Sequence, residues 1–153
     1  VKVTNKEIVD AVALGVAAGT TTFTTFASSV NDYVGTVGTC PLGAVIKGVE
    51  IMVSYSVSVT PNRVDWYIIK NPGTALAGPT PGATGGTINR KFIIHEEKGL
   101  ASDNADGKTI QKLHLNFPRK YWRMAEADSW VLAIDASGST YDYCAKFIYK
   151  WSL

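Results

Sequence analysis

The sequence predicts an all-β protein, a two-sheet antiparallel sandwich built as a single jelly roll of about eight strands. Three observations lead there. Val, Ile and Thr supply 41 of the 153 residues, the β-branched bias that suits a pleated, half-buried surface. Apolar and polar side chains alternate at period two in several separate segments. Long turn-rich stretches divide those segments, and almost no helical periodicity is present. An immunoglobulin-like sandwich is the competing topology, but the chain lacks the Cys, Trp, Cys spacing of that fold. The length is that of one domain, residues 1–153.

Residues 1–19 read as a first strand or an N-terminal arm. Thr4 and Glu7 have the spacing of a helix capping box, whereas Val12, Leu14 and Val16 alternate with Ala13, Gly15 and Ala17. The alternation favours a strand. Residues 20–30 form the next strand by Thr and Phe content and end at the Asn31-Asp32 turn signal. Over residues 49–59 every odd position is large and apolar, with Glu50, Ser54, Ser56 and Ser58 on the other face. Gly48, near the start of this strand, marks a bulge or a close backbone contact. Residues 63–70 alternate Val64, Trp66 and Ile68 with Asp65, Tyr67 and Ile69.

Residues 72–87 hold five of the fourteen glycines and three of the six prolines, so neither ladder nor helix can continue there and a surface loop is expected. Strands follow at 91–97, 113–117 and 130–136, separated by loops at 99–108 and 118–128. In the closing strand, 141–151, Tyr141, Tyr143, Ala145, Phe147, Tyr149 and Trp151 form an aromatic wall backed by a mixed face. Cys40 and Cys144 lack metal spacing and read as two small buried apolar residues; their separation does not decide for or against one bridge.

Fifteen basic and thirteen acidic residues leave a net charge of +2, distributed evenly along the chain. A polybasic arm or membrane-surface mechanism needs a far larger excess. The longest apolar stretch, 8–17, contains Asp10 and is too short to cross about 30 Å of hydrocarbon as a helix. With no signal-peptide order at the N-terminus, the expectation is a soluble chain without membrane contact.

Catalytic equipment is sparse. His95 lies in Ile94-His95-Glu96-Glu97-Lys98, but position 99 is Gly where a zinc helix motif needs a second His. In a strand, His95 and Glu97 share a face and Glu96 points away, so a hydrogen-bonded strand end is the expectation. His114 alternates with Leu113 and Leu115 and should face solvent or an interface. Asp103, Asn104, Asp106 and Gly107 resemble the start of a calcium loop, yet its twelfth position is His114 rather than Glu, leaving a polar turn. No nucleophile elbow, P-loop or dinucleotide fingerprint occurs. The chain is therefore expected to be no enzyme, with no catalytic residue, metal site or cofactor.

The concentrated charge feature is 108–123, with Lys108, Lys112, Arg119, Lys120 and Arg123, no acid, and Phe117, Tyr121 and Trp122 interleaved. Basic groups beside rings can track phosphates while bases stack; the competing reading is a solvated loop whose aromatics anchor a core or an interface. Lys112, Arg119, Lys120, Arg123, Lys146 and Lys150 are the candidate nucleic-acid-binding residues, and Tyr121, Trp122 and Trp151 the candidate subunit contacts, because aromatics supply large interface area.

A further pattern lies in the order of short motifs: Gly43-Ala44-Val45-Ile46-Lys47-Gly48, then Asp65-Trp66-Tyr67-Ile68-Ile69-Lys70-Asn71-Pro72-Gly73, then Arg90-Lys91-Phe92-Ile93-Ile94-His95-Glu96-Glu97-Lys98-Gly99. Pro118-Arg119, Arg123-Met124, Asp128 and the closing Cys144-Ala145-Lys146-Phe147-Ile148-Tyr149-Lys150 complete it. This succession resembles the single jelly-roll capsid proteins of small circular single-stranded DNA viruses and their environmental and archaeal-host relatives. The resemblance implies an eight-stranded jelly roll that assembles with copies of itself into an icosahedral shell around a small DNA genome, inside the host cell, and resides in the virion. It also implies a basic N-terminal arm, whereas residues 1–19 hold only Lys2 and Lys6 against Glu7 and Asp10. Genome contact then falls to bases of the folded surface or to an arm outside this sequence. The alternative is a carbohydrate-binding or adhesin-like β-sandwich, and its requirement is a solvent-facing aromatic platform.

Overall fold

A computed structural model describes residues 4–17, 22–30, 39–57, 63–71, 93–100, 109–125, 128–137 and 140–153. Ten strands follow in order: β1 (Thr4–Val16), β2 (Thr22–Val30), β3 (Thr39–Pro41), β4 (Val45–Ile46), β5 (Gly48–Val57), β6 (Arg63–Asn71), β7 (Ile93–Leu100), β8 (Thr109–Asn116), β9 (Ser129–Ser137) and β10 (Tyr141–Ser152). The expected loop at 72–87 lies outside the described residues; of the one expected at 99–108, Gly99 and Leu100 instead end β7 and the rest lies outside them. The strand reading of the N-terminus holds: β1 pairs antiparallel with β10 from Thr4↔Ser152 onward, and these ladder bonds outweigh a single cap.

One sheet has the order β1-β10-β5-β8, with β4 also on β10; the other has the order β3-β2-β9-β6-β7. The antiparallel pairs nest. β1 joins β10, β2 joins β9, β5 joins β8 and β6 joins β7, as if one long hairpin had been rolled up. β10 against β5 and β9 against β6 then close each sheet. This is the jelly roll, two four-stranded sheets face to face, with the short β3 added in parallel to β2. No described helix is long and apolar enough to cross a membrane.

The two inner faces supply the core. From β10, Tyr141, Tyr143, Ala145, Phe147, Tyr149 and Trp151 are all buried, as the alternation requires, against Val49, Ile51, Val53 and Tyr55 of β5 and Phe26, Val64, Trp66, Ile68, Trp130, Leu132 and Ile134 of the facing sheet. Rings bridge the layers: Phe26 stacks on Phe147 with centroids 4.5 Å apart. Several polar tips buried with these rings find partners, as in Thr24 Oγ1 to Tyr143 Oη at 2.7 Å, the Trp66 indole donating to Gln111, and Tyr141 Oη donating to the Ile134 carbonyl at 3.0 Å, whereas the buried Trp130 indole N–H has no hydrogen-bond partner among the described residues. On the far side of β6 and β9, Tyr67, Ile69, Val131 and Ala133 form a second buried cluster, so β6 is apolar on both faces.

Gly48 makes the expected close contact. A Cβ there would sit 2.5 Å from the Leu115 carbonyl oxygen of β8. The cysteine expectation needs a correction. Cys40 is buried, but Cys144 is exposed on the outer face of β10, because in a strand it alternates with the inward Tyr143 and Ala145; both thiols are free.

Candidate functional site

The connection from β8 to β9 carries the interleaved basic and aromatic residues. Pro118 opens a single 3₁₀ turn, Arg119–Tyr121, after which the backbone runs beside β4: Arg123 bridges Val45, Ile46 N–H donates to the Trp122 carbonyl at 2.9 Å and Met124 N–H to the Ala44 carbonyl at 2.9 Å. Gly43, with φ of 79°, turns the preceding segment so that its N–H reaches the Met124 carbonyl at 2.7 Å.

Beneath this segment, the ammonium of Lys70 on β6 lies over the Trp130 ring at 5.0 Å and reaches the Tyr121 and Arg123 carbonyls at 3.4 Å each, Met124 Sδ at 2.9 Å and Asp128 Oδ2 at 3.5 Å. Asp128 in turn accepts from the Ala125 N–H at 2.9 Å. Burial pulls the Lys70 pKa down, and the Asp128 carboxylate opposes that shift.

Above it, Arg119, Lys120 and Arg123 are exposed, and Tyr121 and Trp122 keep part of their rings in water. Trp122 is fixed by its indole N–H donating to the Phe117 carbonyl at 2.7 Å. Two cations stand over its ring, the Lys47 ammonium at 5.1 Å and the Arg119 guanidinium carbon at 6.0 Å from the centroid. The Lys120 ammonium lies 4.9 Å from the Tyr121 ring. Cations over aromatic faces form a flat, positively charged platform of the kind that nucleobases and phosphates occupy together.

The six candidate nucleic-acid residues fall into two groups. Arg119, Lys120 and Arg123 belong to the end segment. Lys112, Lys146 and Lys150 point outward from the β1-β10-β5-β8 sheet, where Lys112 and Lys146 flank Met52 across three strands. Of the three candidate contact aromatics, Trp151 is turned into the core, its indole N–H donating to Glu7 Oε1 at 3.3 Å; Tyr121 and Trp122 remain at the surface. His95 Nε2 pairs with Glu97 Oε1 at 2.9 Å on their shared face. His114 is exposed, 3.7 Å from Glu50. Among the described residues no group of three or more His, Cys, Asp or Glu side chains gathers as for a metal ion.

Sequence reasoning passed over Lys47, Lys70 and the outer row of β1. Lys70 follows Val64, Trp66 and Ile68 at period two, so a cation on the core-facing row was the available signal. On β1 several large apolar side chains face outward: Ile8 is 55% exposed, Val12 68% and Leu14 76%, while Val9, Ala11 and Ala13 lie on the core side beside the aromatic wall of β10. β1 is also the edge of its sheet among the described residues.

No family model and no curated protein matches the chain. Solved structures resemble it in fold. The BFDV capsid protein, solved as a 60-mer, aligns over 99% of this chain and 93% of that one at 11% identity, TM-score 0.48. Turnip yellow mosaic virus aligns over 100% and 94% at 12% identity, TM-score 0.42. Infectious bursal disease virus, Gx strain, aligns over 97% of this chain at 9% identity, TM-score 0.42, and the chain spans only 32% of that protein. At these values the likeness describes architecture alone, and a fold does not dictate a function.

Proposed function

We propose that the chain is the coat subunit of a small virus: a non-enzymatic protein that assembles with copies of itself into an icosahedral shell, inside the host cell, around a single-stranded DNA genome. The observation that carries this reading is the outer row of β1. Ile8, Val12 and Leu14 are exposed on the outer face of a thirteen-residue edge strand, interrupted only by Asp10 opposite Lys146. A long edge strand with exposed apolar side chains invites pairing with another chain. Burying it against a neighbouring copy removes that area from water and satisfies the free edge. The ordered motifs along the sequence point the same way.

Tyr121 and Trp122 serve as contact or stacking residues at the end of the sandwich, and Arg119, Lys120, Arg123, Lys112, Lys146 and Lys150 face the genome. The sugar-binding alternative requires an open aromatic platform. Among the described residues, none of the large exposed apolar side chains is aromatic.

The test is Val12→Lys with Leu14→Lys. Both side chains are exposed in the single chain, so the fold is retained. Association read by sedimentation velocity should fall at least tenfold, because two lysines cannot be desolvated against an apolar partner without a counter-charge. Unchanged association would remove β1 from the contact and with it the observation on which the reading stands.

A further inference from the structure

We infer a phosphate-binding rank on the outer face of the β1-β10-β5-β8 sheet, formed by Lys6, Lys150 and Lys47 and ending on Trp122, whose ligand is the backbone of single-stranded nucleic acid. The inference rests on the coat-protein reading above and gives its genome contact a location other than the Arg119, Lys120 and Arg123 segment.

Register and a shared groove bring the three lysines together. Lys6 and Lys150 are direct cross-strand partners, and both side chains are exposed. Exposed Lys47 lies between β4 and β5, both of which pair with β10, and lines the same groove as Lys6 and Lys150. Neighbouring strands are about 5 Å apart. Like charges directly opposite each other destabilise a sheet; Lys6 and Lys150 are such a pair, and Lys47 adds a third cation to their groove. An anion lying across the rank relieves the repulsion.

The surroundings have the right shape. The three lysines line one open groove of about 520 Å³ together with Thr4, Asn116 and Ser152. Its acid, Glu50, faces His114 on the neighbouring strand at 3.7 Å. At one end the Lys47 ammonium stands over Trp122, with Arg119 over the same ring. A chain of phosphates along the lysines therefore arrives beside a partly exposed indole, and drawing Lys47 or Arg119 onto phosphate frees the ring for a base to stack. A polyanion without flat rings, such as a sulfated glycan, uses only half of this arrangement.

The experiment titrates an oligothymidylate of about 16 nucleotides into the full chain over a range of salt, following tryptophan emission. Trp66, Trp130 and Trp151 are buried, so quenching reports on Trp122. Each neutralised phosphate contributes about 0.7 to the slope of log affinity against log salt for single strands. The variant K6Q/K47Q/K150Q should lower that slope by about two and abolish most of the quenching.

A variant with the wild-type slope and quenching would overturn the rank while leaving the coat reading intact, and R119Q/K120Q/R123Q would then carry the loss. Absence of oligothymidylate binding by the wild-type chain would overturn the rank and the genome reading together. Equal affinity for a heparin oligosaccharide of matched charge, with no quenching by either ligand, would overturn the assignment to nucleic acid.

Discussion

The Lys70 ammonium lies 3.5 Å from the Asp128 carboxylate, and the two side chains are 6% and 10% exposed. The pair ties β6 to the far end of the β8–β9 connection. The same ammonium meets two carbonyls and a methionine sulfur of that connection. The segment that presents Arg119, Trp122 and Arg123 is therefore held from beneath by a buried cation as well as by its backbone bonds to the β4 segment.

Removing only the carboxylate leaves that cation buried without its counter-charge. Breaking a buried pair from one side costs about 3–5 kcal/mol, whereas replacing both partners by apolar groups is often close to neutral. Asp128→Asn should therefore destabilise the fold by about 3 kcal/mol in urea denaturation, and Lys70→Met combined with Asp128→Asn should recover most of that loss. A double variant no more stable than Asp128→Asn would mean that the pair adds stability beyond mutual neutralisation.

Burial raises the pKa of the Cys40 thiol to about 11, with the Lys70 charge partly opposing. The unfolded chain loses this proton near pH 9, so between about pH 9 and 11 the native state holds more protons and stability falls as pH rises, by on the order of 2 kcal/mol. Lys70 acts in the opposite sense: its lowered native pKa makes the unfolded chain the better proton binder, so its contribution rises with pH. Comparing wild type with Cys40→Ala isolates the thiol. The variant should lose less stability than wild type over this range, and equal losses would rule out the thiol as the source.

Gly48 lies where two backbones touch. A methyl group there meets the Leu115 carbonyl oxygen at 2.5 Å, and that contact is between β5 and β8 backbones with no flexible side chain to yield. Gly48→Ala should cost about 1–3 kcal/mol through overpacking, with the loss of amide protection concentrated on β8. A neutral substitution would show that β8, an edge strand, can move outward freely.

The strands with one buried face were legible because their chemistry is local: every odd position of 49–59 and 141–151 is apolar, and β5 and β10 bury those rows over Val49–Tyr55 and Tyr141–Trp151. Nesting of the pairs was not legible in the same way, since register between β1 and β10 joins residues from opposite ends of the chain. On β1 the usual assumption that larger apolar side chains face inward reverses. Tyr143, Phe147 and Tyr149 already fill the interior, leaving room opposite for Val9, Ala11 and Ala13, and Val12 and Leu14 turn outward. The basic residues of 108–123 could be read as a group, yet their partner Lys47 lies some seventy residues earlier and comes into contact through backbone bonds of the 44–47 segment to Phe117, Trp122 and Met124. Cys144 shows the same limit, because the side of a strand that meets water depends on which neighbours arrive.

Electron microscopy of the purified native chain tests the central claim most directly. The coat-protein account predicts closed, roughly spherical particles of uniform diameter, built from copies of this one subunit. A field containing only single molecules at high protein concentration, under conditions where the fold is intact, would contradict it.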